Sequence, residues 1–367
     1  MSKFFSWFST KPGRIVLISV ITAALVLLPL YQPLEVVQNF TQIIAFAIAA
    51  IGLTILVGTA GQLSLAHGFF VAMGAYGYAV LAAPGTPEML GFGLPPVLAA
   101  IGGVAVAGIF GLIFSPVAAR LQGLYLGLAS IALIFIGEYF FHNATWITGG
   151  ELGRQVEPFN IFGYGLSGTI DPSQRIRIGT ISLDGPARLW IIALIAIVIA
   201  YIIGTRIVKG RPGQALQLVR DNPSAAAAIG VPVQSMKAQA FVLSSMYAGV
   251  GGVFLALITQ SVVPQTYGVI LSMSFLMMII VGGLGSVGGA IFGAALVTYL
   301  PYIMDKFGGQ KVIPFVDPSG INGIPGAVLS NIVFGVGVIL LLIFEPGGSV
   351  GILRRIRNRK ASPKKNK

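Results

Sequence analysis

Apolar runs long enough to cross a lipid bilayer recur along the chain. A membrane-spanning helix needs roughly 20 apolar residues, and ten segments meet or approach that length, although several are short or interrupted by glycine. The candidate spans lie near residues 14–31, 39–59, 67–83, 95–115, 122–141, 189–206, 239–260, 269–282, 289–304 and 326–344. The sequence therefore predicts an all-α integral membrane protein with about ten transmembrane helices, forming a single domain over residues 14–344.

The composition supports a membrane location. Hydrophobic residues make up 55% of the chain and charged residues only 9%, whereas soluble domains contain about 25% charged residues. The chain contains no cysteine, which excludes a disulfide scaffold and cysteine catalysis. The apolar run after Arg14 is longer than a signal-peptide core and lacks a small-x-small cleavage site before Tyr31, so we interpret it as a retained first span.

The distribution of basic residues predicts the orientation of the chain. With ten spans, the N-terminal segment 1–13, the loop 207–237 and the tail 345–367 fall on one side, and cytoplasmic segments are enriched in Lys and Arg. The loop 142–188, in which basic and acidic residues balance, is then extracytoplasmic. Both termini are predicted to be cytoplasmic, in a bacterial-type inner membrane.

The tail accounts for much of the net charge of +12. Eight positive charges lie in "RRIRNRKASPKKNK", which follows the last span. Such a segment suits contact with anionic lipid headgroups. No aromatic residues are interleaved with these charges, so we do not expect a nucleic-acid partner.

A polar, glycine-rich stretch interrupts the second and third candidate spans. The sequence "VGTAGQLSLAHGFFVAMGAYG" contains Gln62, Ser64 and His67 within an apolar region. Irregular backbone at membrane depth is tolerated only where protein or a water-filled cavity surrounds it. The stretch should therefore face the protein interior, and its polar residues either line a translocation path or take part in helix packing.

A second glycine-rich motif, "GGLGSVGG", matches the dinucleotide-binding pattern at Gly283, Gly285 and Gly288. Its flanks are apolar runs of the membrane type rather than a soluble strand and helix. Gly285, Gly289 and Gly293 also recur at intervals of four, which is the spacing that lets membrane helices approach closely. We therefore interpret Gly283, Gly285 and Ser286 as residues of a packing or pathway segment.

Few residues suggest chemistry. Glu138 lies late in the fifth candidate span, where an intramembrane carboxylate is a functional candidate and an interfacial anchor is the alternative. His67 and His142 are far apart in sequence, and the spans contain no paired carboxylates. The sequence predicts neither a cofactor nor a metal site, and without a P-loop it cannot hydrolyse ATP by that route.

The segment "GQALQLVRDNPSAAAAIG" predicts two short helices outside the membrane. Asn222 is a good N-cap, Pro223 suits the first turn, and Gly230 suits a helix stop. They bound a predicted helix over Ser224–Ile229, preceded by another over Gln214–Arg220. The run of alanines in the helix over Ser224–Ile229 presents a small, smooth surface. Such a surface can dock into a groove of another protein at little cost in side-chain entropy. An ordinary cytoplasmic turn is the alternative.

Four blocks together resemble the branched-chain amino acid permease family of ABC importers. They are "GLTILVGTAGQLSLAHGFFVAMGAYGYAVL", "GQALQLVRDNPSAAAAIGVPVQSMKAQAFVLSS", "MMIIVGGLGSVGGAIFGAALV" and "LIFEPGGSVGILRRIR". The resemblance implies a fold like that of type II ABC importers and a heteromeric complex. Its expected partners are ABC ATPase subunits, a second, shorter and paralogous permease, and an extracytoplasmic substrate-binding protein.

The resemblance also implies roles for individual residues. The ATPase-coupling motif of the family falls on Arg220, Asp221, Asn222, Ala225, Ala226, Ala227, Gly230 and Lys237. The acidic residue that the family often has after Asn or Asp is replaced by Pro223, so Asp221 is the remaining acidic candidate. Gln62, Ser64 and His67 match a family motif expected near the translocation path.

Other functions remain open at this point. Relatives with these motifs transport branched-chain amino acids, urea or short amides. A stand-alone secondary transporter or channel is a further alternative, although its usual midplane charge is missing apart from Glu138. An integral-membrane enzyme is disfavoured because the sequence contains no clustered catalytic residues.

Overall fold

The computed structural model of the protein describes residues 25, 27–161, 164–168, 176–178, 181–308, 332, 335, 336 and 339. Most of the first and tenth candidate spans lie outside the described residues. So do the N-terminal segment 1–13, most of the loop 305–325 and the basic tail 345–367.

Twelve α-helices lie in the continuous part of the described chain. In order they are α1 Leu28–Tyr31, α2 Leu34–Leu53, α3 His67–Ala82, α4 Pro96–Arg120, α5 Leu124–Asn143, α6 Thr145–Thr148, α7 Gly185–Lys209, α8 Arg211–Asp221, α9 Pro223–Ala228, α10 Val233–Thr259, α11 Val269–Gly282 and α12 Val287–Gly308. A π-helical turn, Thr54–Thr59, extends α2, and 3₁₀ turns occur at Gly150–Leu152 and Pro264–Tyr267.

Six very short strands form three antiparallel pairs in the described residues. The strands are β1 Arg154–Gln155, β2 Asn160–Ile161, β3 Tyr164–Gly165, β4 Ile176–Ile178, β5 Ile181–Leu183 and β6 Ser261–Val262. β2 pairs with β3 and β4 with β5, while β1 pairs with β6 across more than 100 residues of sequence. The β1–β6 pair therefore ties the segment after α6 to the end of α10.

Eight of the ten predicted spans coincide with described helices. Six helical segments are long and apolar enough to cross a membrane: Leu34–Thr59, Pro96–Arg120, Leu124–Asn143, Gly185–Lys209, Val233–Thr259 and Pro264–Gly282. Two shorter apolar helices, His67–Ala82 and Val287–Ile303, match the remaining two. The described chain is thus a multi-pass helical membrane protein, and a total of ten spans stays a prediction.

The interior is built from α2, α3 and α10, and α10 packs directly against α2, α3 and α4. Glycines permit these close contacts: a Cβ on Gly74 would overlap the backbone of Gly249, and one on Gly252 would overlap the backbone of Val71. Helix association in lipid depends on such close packing because lipid tails are as apolar as the side chains. Almost every residue of α3 is buried, which explains why its sequence has no polar face.

The outer helices α4, α5 and α7 expose apolar side chains. Their exposed large residues include Ile101, Ile113, Leu124, Ile136, Tyr139 and Ile195. In a soluble domain an apolar surface of this extent would promote aggregation. In a bilayer these side chains face lipid or another membrane subunit.

The connections between helices gather at two ends of the bundle. At one end, hereafter the basic end, the segment 58–62 meets the segment 209–233 and the loop 283–286. At the other end, hereafter the strand end, the Leu90 amide donates to the Trp146 carbonyl over 2.8 Å and β1 pairs with β6.

The described charges separate between the two ends. The basic end holds Arg120, Arg206, Lys209, Arg211, Arg220 and Lys237 together with a single acidic residue, Asp221. The strand end holds four basic residues and seven acidic ones: Arg154, Arg177, Arg188, Lys306, Glu35, Glu88, Glu138, Glu151, Glu157, Asp184 and Asp305. This separation agrees with the prediction that the basic end faces the cytoplasm.

Candidate functional site

The polar stretch predicted to interrupt the second and third spans is a genuine break in the helix. α2 continues into the π-helical turn Thr54–Thr59, and regular helix resumes only at His67. Within the break, the Ala60 amide donates to the Ile55 carbonyl and the Gln62 amide to the Leu56 carbonyl. These two hydrogen bonds span five and six residues instead of the four of an α-helix, and neither uses the Gly58 carbonyl. The Gly58 oxygen is therefore available to another donor.

The three polar residues of this stretch face the protein interior, as predicted. Gln62, Ser64 and His67 are 3%, 2% and 1% exposed. His67 Nε2 lies 2.8 Å from the Ala49 carbonyl oxygen, and the imidazole packs edge-on against the Phe275 ring. These contacts describe a packing role for His67, so direct contact with a substrate stays a prediction.

Ser64 and Gln62 also bond to protein groups. The Ser64 hydroxyl accepts the Ala66 amide N–H over 3.3 Å, two residues further along. Gln62 Nε2 donates to the Ala118 carbonyl over 3.3 Å, which joins the break to the end of α4. The Gln62 Oε1 atom is buried and has no hydrogen-bond partner among the described groups. Of the side chains of Gln62, Ser64 and His67, that of Gln62 thus has a buried acceptor atom to which no described group donates.

The loop between α11 and α12 packs against the break. Gly283 and Gly285 have φ angles of 106° and 78°, a region that side chains other than glycine rarely adopt. A Cβ on Gly58 would overlap Gly285, whose Cα lies 2.7 Å from that position. Ser286 accepts the Gly289 amide N–H over 3.2 Å at the start of α12. The two glycine-rich motifs thus form a single contact at the basic end.

The flanks of the second motif settle its interpretation. α11 precedes it and α12 follows it, so it lacks the strand that a dinucleotide site requires. A Cβ on Gly282 would overlap the backbone of Gly289, and one on Gly293 would overlap the Met278 carbonyl. These small residues bring α11 and α12 into close contact, while a role of Gly283, Gly285 and Ser286 in the translocation path stays a prediction.

The two predicted short helices are present at the basic end. The Asn222 Oδ1 atom accepts the Ala225 amide N–H over 3.0 Å, which is the predicted N-cap. At the other end of α9, the Gly230 amide donates to Ala227 and the Val231 amide to Ala226, each over 3.0 Å. Gly230 has a φ of 85°, so α9 ends in a Schellman motif. α9 is therefore capped at both ends.

The alanine run has one buried and three exposed members. Ala226 is fully buried, whereas Ala225, Ala227 and Ala228 are exposed. Ile229, which the sequence analysis did not single out, is 71% exposed beside them. Together Ala225, Ala227, Ala228 and Ile229 form a small apolar surface, hereafter the alanine knob. The sequence contained one signal for Ile229, because this apolar residue directly precedes Gly230, the predicted helix stop.

Arg220 connects the two predicted site regions. Its Nη1 atom donates to the Gly58 carbonyl oxygen over 2.7 Å, and its Nε atom donates to Asp221 Oδ1 over 2.8 Å. Arg220 therefore points from α8 toward the break, rather than only toward solvent. The sequence could not reveal this contact because 162 residues separate the two partners.

Lys237 is buried and does not form part of the alanine knob. This residue, in the second turn of α10, is only 5% exposed. It lines a cavity of about 140 Å³, together with Gln62, Arg220 and Pro223. Of the residues that the family resemblance assigned to ATPase coupling, the structure thus places Ala226 and Lys237 inside the protein and Ala225, Ala227 and Asp221 on its surface.

Glu138 lies at the strand end, away from the break. Its side chain is partly buried, and its Oε1 atom lies 3.8 Å from the position that a Cβ on Gly268 would occupy. Gly268 directly precedes α11, and a carboxylate beside a helix N-terminus is favourable. This placement favours the anchoring role over an ion site at the membrane midplane.

Comparison with known proteins identifies the family. A family profile described as the permease component of branched-chain amino acid transport systems matches residues 36–342. The chain belongs to this permease family. It is therefore a transport component and not an enzyme. No solved structure matches the chain.

Individual permeases of this family align over much of their length. The high-affinity branched-chain amino acid transport system permease protein LivM of Escherichia coli (strain K12) is 27% identical over 83% of this chain and 72% of its own length. LivH of Salmonella typhimurium is 26% identical over 76% of this chain and 92% of its own length. The probable LivH of Methanocaldococcus jannaschii is 30% identical over 42% of this chain and 46% of its own. The permease thus resembles both LivM and LivH proteins.

Proposed function

We propose that this permease is a membrane-spanning subunit of an ATP-driven ABC importer. It forms the translocation path for branched-chain or related amino acids, which an extracytoplasmic binding protein delivers. ATP is hydrolysed by partner ATPase subunits at the basic end. The chain itself has about ten spans in a type II importer-like fold, with cytoplasmic termini in a bacterial inner membrane.

The alanine knob is the observation that carries this proposal. Two short helices, α8 and α9, stand outside the spans at the basic end, and α9 exposes Ala225, Ala227 and Ala228. The Asn222 N-cap and the Schellman stop at Gly230 hold α9 at both ends, so its exposed alanines keep a fixed position. A rigid, small-residue surface that loses little entropy on binding is suited to docking into a groove of a cytoplasmic partner.

The relatives support the proposal of a second permease. Proteins named LivM and LivH both match this chain, and both names describe branched-chain amino acid permeases. The alignment with LivM extends over 322 residues and that with LivH over 298. We propose that this chain takes the place of the longer, LivM-type permease and pairs with a shorter paralogue.

Co-purification with ATPase subunits tests the docking surface. We expect Ala227→Glu to reduce the amount of ATPase recovered with the permease about tenfold or more, because burying an unpaired carboxylate in the groove costs well over 1.4 kcal/mol. Membrane insertion should be unchanged, since Ala227 is exposed and lies outside the spans.

Leu152→Glu is the matched control for this variant. Leu152 is 94% exposed at the strand end, so the same charge there should leave ATPase recovery unchanged. Recovery of ATPase with Ala227→Glu at the wild-type level would show that the alanine knob is not the docking surface.

A further inference from the structure

The contact between Arg220 and the helix break is structurally unusual. The Gly58 carbonyl oxygen accepts a charged N–H over 2.7 Å, and such charge-assisted bonds are roughly twice as strong as neutral ones. The acceptor is available only because the π-helical turn removes Gly58 from the regular hydrogen-bond ladder. A side chain of α8 therefore holds the broken end of α2 directly.

The break is shaped to receive the arginine side chain. Gly61 has a φ of 68°, and a Cβ at this position would overlap Arg220 Cγ and lie 3.1 Å from both Cβ and Cδ of Arg220. The aliphatic part of the side chain thus occupies the space that a larger residue 61 would need. Gly61 supplies both the backbone conformation and the room for this contact.

Asp221 makes a second contact with the guanidinium group. It accepts from Arg220 Nε over 2.8 Å, while the two side chains are 41% and 64% exposed. Exposed pairs of this kind contribute between 0 and about 1 kcal/mol. The ion pair with Asp221 therefore orients the Arg220 side chain. The hydrogen bond from Arg220 to the Gly58 carbonyl is what connects α8 to the break.

The connection extends beyond the break. Gly58 touches Gly285 in the loop between α11 and α12, so displacement of Gly58 must also displace that loop. The cavity of about 140 Å³ beside Gln62, Arg220 and Lys237 provides space into which residues 60–62 can move. Close-packed interiors transmit displacement, and such a space lets a segment take a second position.

We infer that Arg220 is the positioning residue that transmits movement of α8 and α9 to the broken segment 58–62 and the loop 283–286. This inference rests on the proposed function, in which an ATPase moves α8 and α9. The arginine acts through the Gly58 carbonyl rather than by contact with the transported molecule. Its removal separates ATP hydrolysis from transport without preventing assembly of the complex.

Arg220→Met tests the inference in the complete complex with ATPases, second permease and binding protein. The methionine keeps much of the aliphatic stem over Gly61 but removes every N–H donor. We expect ATPase recovery at the wild-type level and ATP hydrolysis within about twofold of wild type. Substrate uptake should fall at least about fivefold, the lower limit of a typical coupling between sites.

Two further variants separate the Gly58 bond from other effects. Arg211→Met removes an exposed guanidinium group from the same helix and should leave uptake per ATP hydrolysed near the wild-type value. Arg220→Lys retains one charged donor, so its uptake per ATP should lie between those of wild type and Arg220→Met. Wild-type uptake by Arg220→Met, or equal losses in Arg220→Met and Arg211→Met, would overturn the inference.

Hydrogen exchange of the wild-type complex provides a test that needs no variant to fold. Amides of residues 58–66 should exchange at different rates in the nucleotide-free and ATP-bound complexes, since their hydrogen bonds change with the position of Arg220. Equal rates in the two states would overturn the inference. Failure of the wild-type permease to bind ATPase subunits would instead overturn the proposed function.

Discussion

Gly58 is the residue at which the two glycine-rich motifs of the sequence meet. Its carbonyl oxygen accepts from Arg220, and its α-carbon faces the backbone of Gly285. The sequence predicted that Gln62, Ser64 and His67 face inward, because polar groups are excluded from lipid. It did not predict their partners, since Ala49, Ala118 and Phe275 are common residue types in a chain this apolar.

Gly58→Ala tests the close approach at this position. The added methyl group would overlap Gly285, whose Cα lies 2.7 Å from the new atom, and overpacking costs about 1–3 kcal/mol. We expect a lower thermal midpoint of the purified permease in detergent. Gly288→Ala is the control, because a Cβ there meets no atom within 4 Å. Equal midpoints for the two variants would show that Gly58 and Gly285 are not in contact.

Among the helices, α8 and α9 show how far local sequence determines local structure. The predicted ranges Gln214–Arg220 and Ser224–Ile229 correspond to Arg211–Asp221 and Pro223–Ala228. The caps were predictable because Asn222 and Gly230 act through bonds within a few residues. The earlier start of α8 follows from Pro212, which fits a first helical turn. The inward direction of Arg220 was not predictable, because it depends on the distant break.

Asn222→Ala tests the contribution of the N-cap to α9. Loss of the bond to the Ala225 amide should cost about 1 kcal/mol, which corresponds to roughly fivefold faster hydrogen exchange of the α9 amides. Ser224→Ala is the control, since Ser224 lies in the same turn and makes no hydrogen bond to the described groups. Unchanged exchange in Asn222→Ala would contradict the assigned cap.

For the whole molecule, apolar run length predicted the helices well. Eight predicted spans correspond to described helices, because each apolar run must satisfy its backbone hydrogen bonds internally in lipid. Run length could not predict which helices form the interior. α10 packs against α2, α3 and α4 because small residues allow close contact, and this depends on pairs of helices rather than on single segments.

The described charges separate between the two ends of the bundle, and the proposed orientation rests on this separation. In the described residues, six basic residues and one acidic residue lie at the basic end. The strand end carries mostly acidic residues and the β1–β6 connection. We propose that ATPase subunits bind the basic end and that the substrate-binding protein approaches the strand end.

Uptake of radiolabelled leucine into proteoliposomes tests the proposed importer most directly. The liposomes contain the permease with its second permease and ATPase subunits, and the binding protein is added to the face opposite the ATPases. We predict leucine accumulation that requires both ATP on the ATPase face and the binding protein. Leucine uptake by the permease alone, without ATP or any partner, would contradict the proposed function.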